Sequence, residues 1–268
     1  MDKKLTIRDI LKKKEQREKI TVLTAYDYTF ASLLDDAGID IILVGDSLGM
    51  VVLGHESTVY VTMSDMLHHL KAVKRAVKKS YLVCDMPFLS YKVTIEEAIK
   101  NAGELIQSGG ANAVKIEGGK EVCEIVKRIT GCEIPVMGHV GLNPQKILKM
   151  GGYFVQGKDN SKNIIEDALA LEEAGAFSVV VECVPEELAE EITEKLKIPT
   201  IGIGAGRYVD GQVLVVNDML GLNKEFKPKF VKAYSDFYSR GVKAVKSYIQ
   251  DVKEHRFPLD DNVYHKKS

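Results

Sequence analysis

Short apolar runs alternate with amphipathic segments along most of this chain. The runs are rich in valine and isoleucine, which is typical of strands that are buried on both faces of a parallel sheet. Eight of them occur, at residues 20–25, 39–45, 81–84, 113–116, 134–138, 177–181, 200–203 and 213–216. Each run is followed by a predicted helix, or by a loop where a helix is expected. The pattern therefore predicts eight parallel strands joined by crossover connections.

Eight such strands are what a closed (β/α)8 TIM barrel requires. The length of 268 residues suits one barrel, because barrels of this kind have about 250 residues, and no linker-like segment interrupts the chain. We predict a single α/β domain of this type over residues 1–268. The alternative is an open doubly wound sheet. It is disfavoured because the G-x-G-x-x-G turn after its first strand is missing.

The segments between the runs predict helices and two long connections. Predicted helices cover residues 5–18, 28–37, 62–79, 94–108, 120–130, 163–174, 185–197 and 229–252. The first carries Ile7, Ile10 and Leu11 on one side, which indicates a lid or plug over one end of the fold. The connections at 48–61 and 140–158 are long enough to be functional, and the glycines of the second indicate a mobile loop. Residues 255–268 form a polar tail.

Composition excludes several classes of partner. The 37 basic and 38 acidic residues nearly cancel, so no long-range field favours nucleic acid or an anionic membrane. No apolar run approaches the ~20 residues needed to cross a bilayer, and the N-terminus does not resemble a signal peptide. The four cysteines are widely separated, without a C-x-x-C pair, which favours buried thiols in a reducing compartment. We expect a soluble cytoplasmic protein.

Charged side chains follow five consecutive apolar runs, and they are the candidate site residues Asp46, Asp85, Glu117, His139 and Glu182. In a barrel the carboxyl ends of the strands share one rim, so these side chains are expected to meet there. Two carboxylates about 4 Å apart repel by roughly 4 kcal/mol at an effective dielectric of about 20, so either protons or a cation must offset the repulsion. Oxygen ligands favour Mg²⁺. Taken one at a time, each acid could instead cap a helix or neutralise a neighbouring lysine.

Three further features are less specific. Lys115 alternates with apolar residues and so faces the same side as Glu117, where it would bind an anion or form a plain ion pair with that acid. The glycine-rich segment 202–206 would bind phosphate through backbone N–H groups or would simply let the chain turn close to its neighbours. The histidines at positions 55, 68 and 69 are expected at the surface or in loops.

Several motifs together resemble the ketopantoate hydroxymethyltransferase family. They occur in this order: TAYD at 24–27, VGDSLGM at 44–50, DMPF at 85–88, VKIEG at 114–118, GHVGL at 138–142, VECVP at 181–185 and GIGAG at 202–206. The resemblance extends from about Thr6 to Pro258, and the ordered set is far more specific than any one motif. The tail after Phe257-Pro258 departs from the family pattern. What the resemblance implies therefore does not extend to contacts made by the tail.

The resemblance implies a Mg²⁺-dependent barrel enzyme of the phosphoenolpyruvate/pyruvate superfamily, with one ion in each subunit. Such enzymes transfer a one-carbon unit from 5,10-methylenetetrahydrofolate to 3-methyl-2-oxobutanoate, giving 2-dehydropantoate and tetrahydrofolate. This is the first committed step of pantothenate synthesis, the route to coenzyme A. Members of the family are typically homodecamers. Subunit number is not readable from the residues themselves.

The same resemblance, combined with the chemistry of a 2-oxo acid, predicts a role for each site residue. Asp46, Asp85 and Glu117 would hold the Mg²⁺, which would stabilise an enolate of the substrate. The substrate's oxygens would contact Ser47 and Lys115 as well as Asp46 and Asp85. Glu182 would act as the general base, and His139 would hydrogen-bond the new hydroxymethyl group.

Two alternative functions are open at this level. One is a Mg²⁺-dependent lyase of the same superfamily, which is disfavoured because a catalytic loop such as K-K-C-G-H is absent. The other is a non-catalytic barrel that binds a small molecule. The complete set of predicted ligands and base argues against it.

Overall fold

A computed structural model describes residues 4–223 and 228–266 of the chain. Contacts divide the chain into two compact units, residues 1–216 and residues 217–268. The first unit contains the predicted barrel and all of the candidate site residues. The single domain predicted over residues 1–268 stays a prediction.

Eight parallel strands close into a barrel in chain order, with the last strand paired to the first. The strands are β1 Ile20–Thr24, β2 Ile41–Val44, β3 Tyr81–Asp85, β4 Ala113–Glu117, β5 Val136–Gly141, β6 Ser178–Glu182, β7 Thr200–Ile203 and β8 Gly211–Leu214. The predicted (β/α)8 barrel is confirmed, and the open sheet is wrong. Most strand residues are buried, which explains why each run reads as continuously apolar.

Helices follow most of the strands. They are α1 Ile7–Glu15, α2 Tyr28–Asp36, α3 Leu48–Val51, α4 Met63–Ala76, α5 Ile95–Gln107, α6 Cys123–Thr130, α7 Ile147–Met150, α8 Ser161–Glu173, α9 Glu186–Lys195, α10 Val216–Met219 and α11 Phe237–Lys253. Short 3-10 helices lie at Thr58–Tyr60, Lys120–Val122, Pro144–Lys146 and Asp260–Asn262. Thr62 caps α4 and Thr94 caps α5, because each side chain accepts a backbone N–H of the helix that it begins.

Helix α1 closes one end of the barrel. Its Ile10 is completely buried and packs in the core cluster with residues from the amino ends of strands, including Ile20 and Tyr81. Leu5 and Ile7 pack against the same cluster. The predicted plug is therefore confirmed, and Thr6 and Asp9 stabilise its first turn through a reciprocal capping box.

Two of the predicted boundaries that differ from the structure have a clear local cause. Strand β8 ends at Leu214 rather than at residue 216, because the N–H of Val216 turns to the hydroxyl of Thr24 at 2.9 Å. Helix α11 begins at Phe237 rather than at residue 229. Asp236 caps it by accepting the N–H of Ser239. A cap of this kind is a local signal, and the hydrophobic periodicity on which the prediction rested does not show it.

Helix α11 has no buried residue among those that the structure describes. Six of its large apolar side chains are exposed, namely Tyr238, Val242, Val245, Tyr248, Ile249 and Val252.

Of the helices within residues 4–223 and 228–266, none combines the length and apolar character needed to span a membrane. All four cysteines are free, but only Cys84 is buried, so the expectation of buried thiols fails for the exposed Cys132.

Asp35 ties the end of α2 to the start of β3. Its carboxylate accepts the backbone N–H groups of Lys78, Lys79 and Ser80 at 2.8–3.2 Å, and also the hydroxyl of Ser80 at 2.9 Å. Burial alone would raise the pKa of Asp35, but these hydrogen bonds outweigh burial and lower the pKa. The folded chain therefore favours the ionised form of this carboxyl.

We predict that Asp35→Asn lowers the free energy of unfolding by about 1.5–3 kcal/mol at pH 7, the range for hydrogen bonds to a charged group. Because the folded pKa lies below the unfolded one, this stabilisation is complete above about pH 4 and declines as the pH falls through the folded pKa. The difference between the parent protein and the variant should thus shrink in urea unfolding curves measured from pH 7 to pH 3. Asp36→Asn, at the exposed neighbouring position, should change the free energy by less than about 0.5 kcal/mol. A difference between parent and Asp35→Asn that is constant with pH would contradict the argument.

Candidate active site

The carboxyl ends of β2 to β6 bring the candidate residues to one end of the barrel. Asp85, Glu117 and Glu182 are the last residues of their strands, and His139 lies near the end of β5. Asp46 follows β2 by two residues. Their positions agree with the expected rim of charged side chains, while their chemical roles remain predictions.

Positive and negative side chains alternate across this rim. The Nζ atom of Lys115 lies 3.1 Å from Asp85 Oδ1 and 3.7 Å from Glu117 Oε1. His139 places Nδ1 3.6 Å from Glu117 Oε1 and Nε2 3.1 Å from Glu182 Oε2. All of these groups are buried except that of Glu182, which is 14% exposed. Lys115 thus forms ion pairs with two acids, whereas a plain ion pair would involve Glu117 alone.

The alternation sets the proton affinities of the buried groups. Burial opposes the charge of Glu117, but hydrogen bonding with His139 and the charge of Lys115 outweigh burial and lower the pKa of Glu117 to about 2. Burial and Lys115 also oppose the charge of His139, yet its bonds to Glu117 and Glu182 raise its pKa to about 9. Each ring nitrogen of the imidazolium then faces a carboxylate, Nδ1 that of Glu117 and Nε2 that of Glu182.

Asp46 is the acid that this arrangement compensates least. Burial, followed by the charges of Glu117 and Asp85, raises the pKa of Asp46 well above its usual range. The charge of Lys115 and a hydrogen bond from Gln145 act in the opposite direction but do not prevail. The cluster therefore lacks positive charge near Asp46.

The chain after β2 is fixed by contacts to neighbouring strands and helices. The N–H of Asp46 donates to Asp85 Oδ2 at 3.0 Å, and Ser47 Oγ lies 2.8 Å from the hydroxyl of Tyr26. His69 places Nδ1 2.7 Å from the carbonyl oxygen of Tyr26. This histidine, which was expected at the surface, is half-buried and supports the site from α4.

The main chain at Glu182 is held in the same way. Its carbonyl accepts the N–H of Leu142 at 2.9 Å, and the next residue, Cys183, donates its N–H to Ile203 at the same distance. Gly141 has φ +88°, and a Cβ at this position would lie 2.3 Å from the carbonyl oxygen of Glu182. Only glycine allows this approach. The carboxylate of Glu182 is thus presented from a rigid strand end.

Two buried polar side chains that sequence reasoning missed belong to the site. Gln145 is 3% exposed, and its amide nitrogen lies 2.9 Å from Asp46 Oδ2. Tyr91 is fully buried, and its hydroxyl contacts both Gln145 and the backbone of Glu117. Neither residue stands at a strand end, and no motif or period in the sequence singles out either one.

The connection after β5 is more packed than its glycines predict. Its first half forms the 3-10 helix Pro144–Lys146 and helix α7, and Asn143 is buried with its side chain bonded to the carbonyl of His139 at 3.1 Å. Tyr153 follows, with its hydroxyl 3.8 Å from Met50 Sδ. Burial and then the charge of Glu182 raise the pKa of Tyr153, so this tyrosine lies close to the acids.

The glycine-rich segment 202–206 makes a close approach. Gly206 has φ +76°, and a Cβ there would lie 2.3 Å from the side chain of Glu186 in α9. This contact agrees with the interpretation that the glycines let the chain turn beside its neighbours. No contact among the described residues identifies a phosphate site there.

The acids suit a hard divalent cation that retains water. Carboxylate oxygens are the ligands that Mg²⁺ prefers, usually one or two with water completing the shell. Asp46 lacks compensating charge, and Asp85 Oδ1 is a buried carboxylate oxygen that faces the ammonium group of Lys115 at 3.1 Å. Within the residues that the structure describes, no three acid, histidine or cysteine side chains already converge to hold a metal ion. The residues therefore fit a partly hydrated ion rather than a closed protein cage.

Comparison with known proteins identifies sequence relatives over nearly the whole chain. The profile of the family described as ketopantoate hydroxymethyltransferase matches residues 4–260. A relative from Syntrophus aciditrophicus (strain SB), named 3-methyl-2-oxobutanoate hydroxymethyltransferase, is 56% identical over 264 residues, which cover 98% of this chain and 97% of the relative.

Solved structures with little sequence identity share the fold. A phosphonopyruvate hydrolase, solved with oxalate and Mg²⁺, has a TM-score of 0.64 at 13% identity and covers 97% of this chain and 91% of its own. A 2,3-dimethylmalate lyase, a member of the PEP mutase/isocitrate lyase superfamily, has a TM-score of 0.61 at 14% identity and covers 96% and 88%. The barrel is therefore of the type found in that superfamily.

Proposed function

The chain belongs to the ketopantoate hydroxymethyltransferase family, and we propose that it transfers a one-carbon unit from 5,10-methylenetetrahydrofolate to 3-methyl-2-oxobutanoate. The products are 2-dehydropantoate and tetrahydrofolate, in the pathway to pantothenate. One observation carries the proposal beyond family membership. It is the buried row of alternating charges that ends in the more exposed Glu182 at the carboxyl end of the barrel.

Asp46, Asp85 and Glu117 are proposed to hold one Mg²⁺, whose positive charge would offset their repulsion. When bound, the ion supplies Lewis acidity toward the oxygens of a 2-oxo acid. Lys115 and Ser47 would contact the same oxygens of the substrate. The ammonium group of Lys115 is already positioned by Asp85 and Glu117, so little reorganisation is needed to bind an anion.

Glu182 is proposed to remove the proton from C3 of the substrate. Its carboxylate is the most exposed of the four acids at this rim, and its main chain is held on both sides. His139 keeps Glu182 oriented through the 3.1 Å contact. The C3 carbon, once deprotonated, attacks the methylene group of the opened folate iminium and forms a C3–CH₂–N bond. Water then replaces the folate nitrogen on this methylene carbon, with one hydrogen passing to the nitrogen, so tetrahydrofolate leaves and His139 hydrogen-bonds the new hydroxymethyl group. The connection 140–158 would limit access of bulk water before the carbon–carbon bond forms.

We also propose that the protein works in the cytoplasm as a homo-oligomer, a decamer by family resemblance, with no nucleic-acid or membrane partner. The four free cysteines agree with a reducing compartment. The row of exposed apolar side chains on α11 is the kind of surface that a second copy covers. A monomeric mass in multi-angle light scattering would contradict the oligomer.

The proposed function predicts that the purified protein with Mg²⁺ consumes 3-methyl-2-oxobutanoate only when 5,10-methylenetetrahydrofolate is present. Product formation is followed by mass spectrometry, with and without EDTA, and chelation should abolish turnover. Cleavage of a substrate carbon–carbon bond without folate would instead indicate a lyase. No turnover at all, together with tight binding of the keto acid, would indicate a binding protein.

Glu182→Gln should slow exchange of the C3 hydrogen of 3-methyl-2-oxobutanoate with deuterium by at least about 100-fold, because a positioned base contributes roughly 10²–10⁴-fold in rate. Binding of Mg²⁺ and keto acid should change little, since the amide keeps the size and backbone contacts of the acid. Proton NMR in D₂O measures the exchange. Glu187→Gln, an exposed acid in α9, is the matched control and should exchange at the parental rate. Parental exchange in Glu182→Gln would remove this residue from the role.

A further inference from the structure

The orientation of the Gln145 amide is determined by its neighbours. Its nitrogen lies 2.9 Å from Asp46 Oδ2 and 3.0 Å from the carbonyl oxygen of Met86, and its oxygen lies 2.8 Å from the hydroxyl of Tyr91. Two acceptors face one end of the amide, and a hydroxyl donor faces the other. The reversed orientation would set an oxygen against two oxygens, so the nitrogen must point to Asp46.

Gln145 acts on two of the proposed ligands at once. The amide donates to the carboxylate of Asp46, while the backbone N–H of the same residue donates to Glu117 Oε2 at 3.1 Å. These two acids come from different strands, and one residue between them fixes the direction of both carboxylates. Donors of this kind also favour the ionised form that a metal ligand requires.

Gln145 is itself held from two directions. The hydroxyl of Tyr91 pairs with the amide oxygen and accepts the backbone N–H of Glu117 at 3.3 Å. On the other side, Asn143 anchors the 3-10 helix to the carbonyl of His139. Asp46, Gln145, Tyr91 and Glu117 thus form a closed network of hydrogen bonds, and none of these side chains is more than 4% exposed.

The amide has no hydrogen left for a substrate. One amide hydrogen is directed to Asp46 and the other to Met86, and the oxygen is occupied by Tyr91. A side chain that only filled space here would leave Asp46 and the carbonyl of Met86 without these donors, which is costly in a buried position. These contacts separate Gln145 from the groups that would touch the reactants.

We propose that Gln145 is a positioning residue, which orients Asp46 and Glu117 for binding the divalent ion and is itself oriented by Tyr91. This inference rests on the proposed function for the identity of the ion, and it adds a residue that lies outside the strand ends. Residues that hydrogen-bond to the ligands of a metal ion typically contribute about 10- to 100-fold to metal affinity or activity.

The test is Gln145→Met in the full-length protein, because methionine keeps the length and volume of glutamine and removes only the amide. Mn²⁺ is the probe, and its binding is measured by electron paramagnetic resonance and by calorimetry in the absence of substrate. We expect the dissociation constant to rise by about 10- to 100-fold, with circular dichroism unchanged. Gln212→Met, which removes an exposed amide bonded only to the carbonyl of Gly206 among the described contacts, is the matched control and should bind as the parent does.

Tyr91→Phe provides a second variant if Gln145→Met does not fold. It removes the hydroxyl that orients the amide and keeps the buried ring, so Mn²⁺ binding should weaken several-fold in the same direction. In the double variant the two effects should not add, because both act through one network. Unchanged Mn²⁺ binding in a folded Gln145→Met, or fully additive effects, would overturn the proposal.

The outcomes separate this inference from the proposed function. A parent protein that binds Mn²⁺ more tightly than Gln145→Met but turns over no keto acid would contradict the proposed reaction and still support the role of Gln145. Normal turnover by the parent with equal Mn²⁺ binding in both proteins would support the reaction and overturn the role. Failure of the parent to bind Mn²⁺ would overturn both.

Discussion

More negative than positive charge is buried at the carboxyl end of this barrel. Asp85 and Glu117 share one lysine, and Glu182 shares the histidine with Glu117. At an effective dielectric of about 20, each close pair of like charges costs roughly 4 kcal/mol, so the alternation of acid and base is a condition for folding these residues together. The shortfall is concentrated at Asp46. The same imbalance that costs stability is the physical reason for proposing that a cation binds here.

Parallel strands make this arrangement possible. Neighbouring strands lie about 4.8 Å apart, so side chains at equivalent positions on consecutive strands come within reach of one another. The register sets Asp85 beside Lys115 and Glu117 beside His139, and both pairs lie at the same end because all eight strands run in one direction. The loops then add contacts from residues distant in sequence, and those contacts decide how each carboxylate is turned.

Much of the fold and the rim was predictable because the information is local. A strand buried on both faces is a continuous apolar run, and the polar residue that ends it marks the end of the strand, as with Asp85 and Glu117. The network around Gln145 was not predictable, since Gln145 and Asp46 are 99 residues apart and meet only after the barrel has closed. The start of α11 was also missed, because a cap at Asp236 outweighed the longer periodic pattern.

Helix α1 closes the amino end of the barrel, so the carboxyl end, where the acids lie, is the end from which reactants would enter. Ile10 is buried in the core cluster at the amino end, and the interior of such barrels is packed with side chains rather than hollow, so the described residues close this end of the barrel. Under the proposed function, both reactants would therefore enter from the carboxyl end. The reactant that binds deeper would bind first, and its product would leave last.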